Sequence, residues 1–194
     1  MIQIRIHGRG GQGVVTAAEL IALAAFNDGY QAQAFPFFGV ERSGAPIQAF
    51  VRLADKPITN REQIYEPDIL IIQDDSLLSD INVFEGTDAQ TKVIINTSRT
   101  VAEIYKAIQI NNRSQGWPKL AIKEKNLFVS PATAIAIEIF HKNLANVPLV
   151  GALARYTKLI NLAGIKKALE SKFAGKNPTL ISQNIQAALK AYSL

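Results

Sequence analysis

The amino-acid sequence predicts an α/β fold, with a mostly parallel, doubly wound sheet and a helical C-terminal part. Three observations carry that expectation. An alternating strand runs directly into a glycine-rich turn and a helix. Two short apolar runs have the composition of strands covered on both faces. From Pro148 onward the periodicity is helical only.

Taken in order, Ile2, Ile4 and Ile6 alternate with polar residues, as in a strand with one strongly buried face. Glycines follow from Gly8 to Gly13. Val14 to Asn27 then reads as a helix, with Leu20, Leu23 and Ala24 at core spacing, Glu19 off that stripe and Gly29 at its C-terminal cap. Gln31 to Phe35 and Ile47 to Leu53 read as strands on either side of a Pro- and Gly-punctuated segment, and Asp55-Lys56-Pro57 as a turn. Asp68 to Gln73 and Lys92 to Asn96 are the two buried, parallel-type strands. Val101 to Ile110 reads as a short helix, Asn111 to Trp117 as a polar loop and Asn126 to Val129 as a last strand. Pro131 opens a helix over Ala132 to Leu144. Helices are expected over about 148–162, 165–173 and 178–192, punctuated by Gly164, Gly175 and Pro178. With no Gly/Ser-rich linker and no repeat, the chain reads as one Rossmann-like domain. Its α/β core spans about 1–147 and its C-terminal helices about 148–194.

Composition narrows the function classes. The 194 residues include no cysteine, which excludes disulfides, thiolate catalysis and a thiolate-ligated iron–sulfur cluster in this chain. Two histidines, His7 and His141, make a multi-histidine zinc site a poor expectation. No apolar run reaches the ~20 residues that cross a bilayer. The N-terminus is a strand rather than a signal peptide, so no membrane association and a cytoplasmic location are expected. The net charge of +5 is uneven. Residues 1–91 hold 6 basic and 12 acidic side chains, and residues 92–194 hold 15 and 4. That split is either a solvated lysine surface or a face for an acidic partner or phosphate-bearing ligand. No basic stripe is interleaved with aromatics, so nucleic acid is not an expected partner.

Gly8-Arg9-Gly10-Gly11-Gln12-Gly13 satisfies G-x-G-x-x-G between a strand and a helix. Glycines permit positive φ and close backbone approach, and the N–H groups at the helix start favour an anion. Arg9 and Gln12 add side-chain donors. A nicotinamide-dinucleotide site usually carries an acid at the end of the second strand, for the ribose hydroxyls. Gln31 to Phe35 has none, and Glu41 comes too late. Three readings stay open: a tight turn only, a phosphate-bearing ligand, or a subunit contact. The segment Phe35 to Pro46 holds three phenylalanines broken by Pro and Gly, with Glu41 and Arg42 beside them. It reads as an interface or site, or as an internal corner with a local ion pair.

Arg5 to Thr16, the corner Phe35 to Pro46, and Asn146-Val147-Pro148-Leu149-Val150-Gly151-Ala152-Leu153 together resemble the gamma subunit of the pyruvate (2-oxoacid):ferredoxin oxidoreductases. The late Gly175-Lys176 before a final helix is similar too, so the resemblance spans nearly the whole chain. It implies a subunit of an enzyme that decarboxylates a 2-oxoacid, reduces ferredoxin and releases acyl-coenzyme A. Alpha, beta and delta-type subunits would complete it. Thiamine diphosphate and iron–sulfur clusters would sit in those partners, with no cofactor bound by this chain alone. The gamma subunit would supply structure and part of the coenzyme A side, with Gly8, Arg9, Gly10, Gly11, Gln12, Gly13, Glu41 and Arg42 nearest the shared site and no catalytic or metal-binding residue. Many relatives carry two arginines in the corner, where this chain has Arg42-Ser43. Serine does not replace a bidentate guanidinium. The rival expectations are an independent NAD(P)- or FAD-binding oxidoreductase and the small subunit of indolepyruvate:ferredoxin oxidoreductase. The Phe-Gly-Val-Glu-Arg corner argues against the second.

Other constellations read more plainly. His7, at the mouth of the glycine loop, is expected to be a hydrogen-bonded neighbour rather than a base. Asp74 and Asp75 are expected to cap the next helix rather than to hold magnesium. Ser98 and Arg99 stand at the carboxyl end of a strand, where open α/β sheets bind ligands. Trp117 is expected to be partly buried.

Overall fold

The computed structural model describes residues 1–37 and 43–194. Glu41 and Arg42 of the aromatic corner lie outside the described residues. Six strands form one sheet in the order β2-β3-β1-β4-β5-β6, with ranges β1 Ile2–Arg9, β2 Gln31–Pro36, β3 Pro46–Ala54, β4 Ile69–Ile72, β5 Lys92–Asn96 and β6 Leu127–Ser130. β1, β4, β5 and β6 are mutually parallel neighbours. Between β1 and β2 the chain runs through α1 (Val14–Asn27). It then reverses and inserts β3 antiparallel between β2 and β1, from Ile2 opposite Leu53 to Arg9 opposite Pro46.

Strand alternation sorts the core into two layers. Ile4, Ile6, Val51, Leu53, Ile69, Ile71 and Ile94 join a cluster with α1, α4 (Ala132–Phe140), α5 (Asn146–Thr157), α6 (Leu162–Lys172) and α7 (Pro178–Ser193). Leu70, Ile72, Val93, Ile95 and Leu127 face a second cluster with α2 (Leu77–Asp80) and α3 (Val101–Ser114). Helices therefore lie on both sides, and the apolar runs of β4 and β5 are covered on both faces, as their composition requires. The chain winds one way after β1 and the other way after β4, so the switch point falls between those strands, beside the glycine turn. Among the described residues, no helix is long and apolar enough to cross a membrane.

The second face of β1 and β3 is covered by irregular chain, and two arginines make this workable. Arg5, 6% exposed, donates to the carbonyls of Ile64, Tyr65, Val83 and Glu85 at 2.5–3.3 Å. Arg52, 1% exposed, donates to Glu62 O at 2.5 Å and reaches Asn60 O and Gln63 O at 3.4 Å, with its guanidinium 5.1 Å from the centre of the Phe35 ring. A covering coil exposes carbonyls that no ladder satisfies, and each guanidinium supplies five donors for them. Burial lowers the Arg5 pKa to about 10 despite the nearby Glu85 carboxylate.

Helix ends explain where the sequence reading and the structure differ. α3 continues to Ser114 instead of stopping at Ile110. Asn112 in the expected polar loop turns inward, and its amide donates to Pro118 O at 3.1 Å. α4 stops at Phe140, four residues short of Leu144, because His141 takes a left-handed conformation with φ 56°. α5 starts at Asn146, putting Pro148 in the first turn, where a missing N–H costs nothing. It stops at Thr157, because Lys158 also turns left-handed, with φ 58°. Gly151 lets α5 approach α7 closely, since a Cβ there would overlap the Ala188 carbonyl.

Candidate functional site

β1 delivers the glycine loop at the switch point. Gly10 N donates to Ala45 O at 2.9 Å and Gly44 N to Gly10 O at 3.1 Å, so the loop pairs with the entry to β3. Gln12 folds back, with Oε1 accepting from Arg9 N at 2.8 Å. Gly13 is the N-cap of α1 in the left-handed region, φ 76°, and no side-chain cap is present. α1 carries no acidic residue in its first turn, so its positive end is not offset by its own side chains. Asn146, at the start of α5, lies against Gly13 closely enough that a Cβ there would clash with its amide.

The sequence-predicted side chains are placed as follows. Gly8 is buried beneath Val14, Gly11 is exposed, and Arg9 and Gln12 are partly buried. Arg9 is engaged within the chain. It donates to Ser76 Oγ at 2.6 Å, Asp80 Oδ2 at 2.5 Å and Gly44 O at 3.2 Å, and its Nε lies 3.4 Å from Asp74. Its hydrogen bond to Asp80 raises its pKa above the ordinary value. Gln12 Nε2 donates to Asp74 Oδ2 at 2.6 Å.

Asp74 forms a turn rather than the expected helix cap, since the N-cap of α2 is Ser76 and no side chain caps that helix. Its Oδ1 accepts from the backbone N–H and the hydroxyl of Ser76 at 3.0 and 2.6 Å, just before α2. Burial alone would raise this carboxyl. The hydrogen bonds from Ser76 and Gln12, with Arg9 nearby, outweigh burial and hold it below the ordinary value. Asp75 pairs instead with Arg99 at 3.1 Å. Among the described residues, no group of three or more His, Cys, Asp or Glu side chains is placed to hold a metal ion.

His7 differs from expectation. It is 2% exposed, and neither ring nitrogen has a hydrogen-bond partner among the described residues. Burial, with the positive Arg5 nearby, lowers its pKa to about 3, so the ring is neutral.

Next to the glycine loop lies a polar cleft of about 270 Å³. Gln73, Asp74 and Asp75 line it from the end of β4, and Asn96, Thr97 and Ser98 from the end of β5. Gln12 closes it on one side, with Thr133 and Asn143 on another. Asn96 organises the wall, donating to Gln73 O at 2.9 Å and Thr133 Oγ1 at 2.8 Å and accepting from Thr133 N at 3.0 Å. The Gln73 amide nitrogen donates to Gln12 O, which leaves Gln73 Oε1 buried without a partner. The position of Ser98 was legible in the sequence as a strand end. Gln73, Thr133, Asn143 and Asn146 were not, because they come from separate segments that meet only in the fold.

The pyruvate ferredoxin/flavodoxin oxidoreductase family model matches residues 3–194. The "pyruvate/ketoisovalerate oxidoreductases common subunit gamma" of Pyrococcus furiosus is 43% identical over 192 residues, covering 99% of this chain and 96% of that one. The "pyruvate synthase subunit PorC" of Methanocaldococcus jannaschii is 44% identical over 194 residues, covering 100% and 96%. The crystal structure of pyruvate oxidoreductase subunit PORC from Thermotoga maritima superposes with a TM-score of 0.78 at 30% identity, over 99% of this chain and 95% of that one.

Proposed function

We infer the role of this chain from a premise of membership: it belongs to the pyruvate ferredoxin/flavodoxin oxidoreductase family, as a gamma-type subunit of an oxidoreductase. The observation that carries this is full-length correspondence to gamma and PorC subunits at 43–44% identity. The enzyme we propose acts on a 2-oxoacid, pyruvate first, yields acyl-coenzyme A and carbon dioxide, and passes electrons to ferredoxin. Alpha, beta and delta-type subunits hold the thiamine diphosphate and the iron–sulfur clusters. The absence of cysteine supports that division, because iron–sulfur clusters are held by cysteine thiolates.

Within the assembly this chain works as one gamma-type domain, with an α/β core over about 1–147 and helices over about 148–194. It lends surface rather than catalytic groups. We place Gly8, Arg9, Gly10, Gly11, Gln12, Gly13, Glu41 and Arg42 on the coenzyme A side. The uncapped start of α1 supports this, since free N–H groups and a helix dipole favour an anionic group. The exposure of Gly11 supports it as well. Arg9 reaches such a group only by leaving Asp80 and Ser76. The lack of an acid along β2 counts against a dinucleotide reader.

Affinity capture of the native complex tests the reading. Cysteine-rich and thiamine-binding subunits should co-purify, and Arg42→Ala should weaken assembly or coenzyme A use more than folding. Recovery of the chain by itself, or tight one-to-one binding of NADH, NADPH or FAD by the isolated chain, would overturn it.

A further inference from the structure

We propose that the cleft beyond β4 and β5 binds an uncharged group bearing a vicinal diol, such as the ribose ring of a nucleoside or a free sugar, and does not bind phosphate. This goes beyond the coenzyme A reading, which concerns the glycine loop and the helix start at Gly13, and it shares Gln12 with that reading. The cleft lies in the crevice outside the carboxyl ends of parallel strands at a switch point, where open α/β sheets place ligands. At about 270 Å³ it is the size of a small polar moiety rather than a dinucleotide.

Its chemistry selects the class. Asp75 offers Oδ1, since its Oδ2 takes the hydrogen bond from Arg99. Gln73 is 2% exposed and pinned through its amide nitrogen and its backbone, and it keeps an unpartnered buried oxygen. A buried acceptor without a donor is costly, and an incoming hydroxyl would relieve it. The Ser98 hydroxyl and the Asn143 amide, both on exposed residues, supply donors beside those acceptors. A vicinal diol answers both kinds, because each hydroxyl donates once and accepts as well. A phosphate meets two carboxylates instead. Two arginines beside these carboxylates are already engaged, Arg9 with Asp80 and Arg99 with Asp75. The hydrogen bonds at Asp74 keep its carboxyl ionised, which adds to the exclusion of anions.

The test is calorimetric titration of the purified full chain with adenosine, D-ribose and inorganic phosphate, on wild type and on Asp75→Ala and Ser98→Ala. Ser98 is exposed and Asp75 half-buried, and circular dichroism checks that each variant folds. We expect saturable one-to-one binding of adenosine, weakened about ten-fold in Asp75→Ala by loss of a charged acceptor. Inorganic phosphate should not compete. Ribose binding alone would identify the sugar as sufficient, and binding of adenosine but not ribose would identify a nucleoside. Absence of saturable binding by both ligands, unchanged affinity in Asp75→Ala, or competition by phosphate would each overturn the proposal.

Discussion

Gln12 Nε2 donates to Asp74 Oδ2 at 2.6 Å, and this bond ties the turn after β1 to the carboxyl end of β4. The same side chain accepts from Arg9 N, so one glutamine braces the loop at both ends. Gln12→Ala removes both bonds and should cost about 2 kcal/mol, at roughly 1 kcal/mol per hydrogen bond. Urea denaturation measures that loss. Carboxyl-carbon NMR should show the Asp74 pKa moving up toward its ordinary value, because one of the bonds that hold it down has gone.

His7 predicts an acid limb in stability. Its folded pKa of about 3 lies below the ordinary value of 6.5, so the unfolded chain takes up a proton that the native chain refuses. The stability from its neutral burial is fully present above pH 6.5 and falls as pH drops from there toward 3. The slope should be about 1 kcal/mol per pH unit in that window. His7→Phe should flatten the slope between those limits when urea midpoints are followed against pH. An unchanged slope would assign the acid sensitivity to other groups.

Arg5→Met should cost roughly 3 kcal/mol or more. It leaves the carbonyls of Ile64, Tyr65, Val83 and Glu85 without their donor in a closed environment. Arg5→Lys should recover only part of the loss, because one ammonium cannot serve four carbonyls in a planar fork. Proteolysis should then nick residues 55–68 before any helix.

Gly13→Ala should destabilise the chain by about 1–3 kcal/mol through its positive φ alone, before any contact is counted. The added methyl also meets the Asn146 amide. Combining it with Asn146→Ala should restore part of the loss, and a double-mutant cycle separates backbone strain from the clash. Strict additivity of the two changes would remove Asn146 from contact with the loop.

Much of this architecture is legible in the sequence. The alternating isoleucines, the glycine turn and the alanine-rich helix are local signals, and β1 and α1 lie where those signals put them. The apolar runs of β4 and β5 implied cover on both faces, and both faces are covered. Three kinds of feature were not readable. Arg5 and Arg52 lie within apolar strands, and their carbonyl partners sit in coil too irregular to mark itself in the sequence. His141 and Lys158 end helices in a conformation that sequence reading expects of glycine. The polar cleft is assembled from five separate stretches of chain, so no spacing reports it. Glu41 and Arg42 rest on the family resemblance alone.

The meeting of Asn146 with Gly13 joins the last third of the polypeptide to its first turn. α5, which carries Asn146, is seated on α7 through the close approach at Gly151. The terminal helix thus acts as a distant strut for the opening loop, and trimming it would slacken the glycine turn through α5.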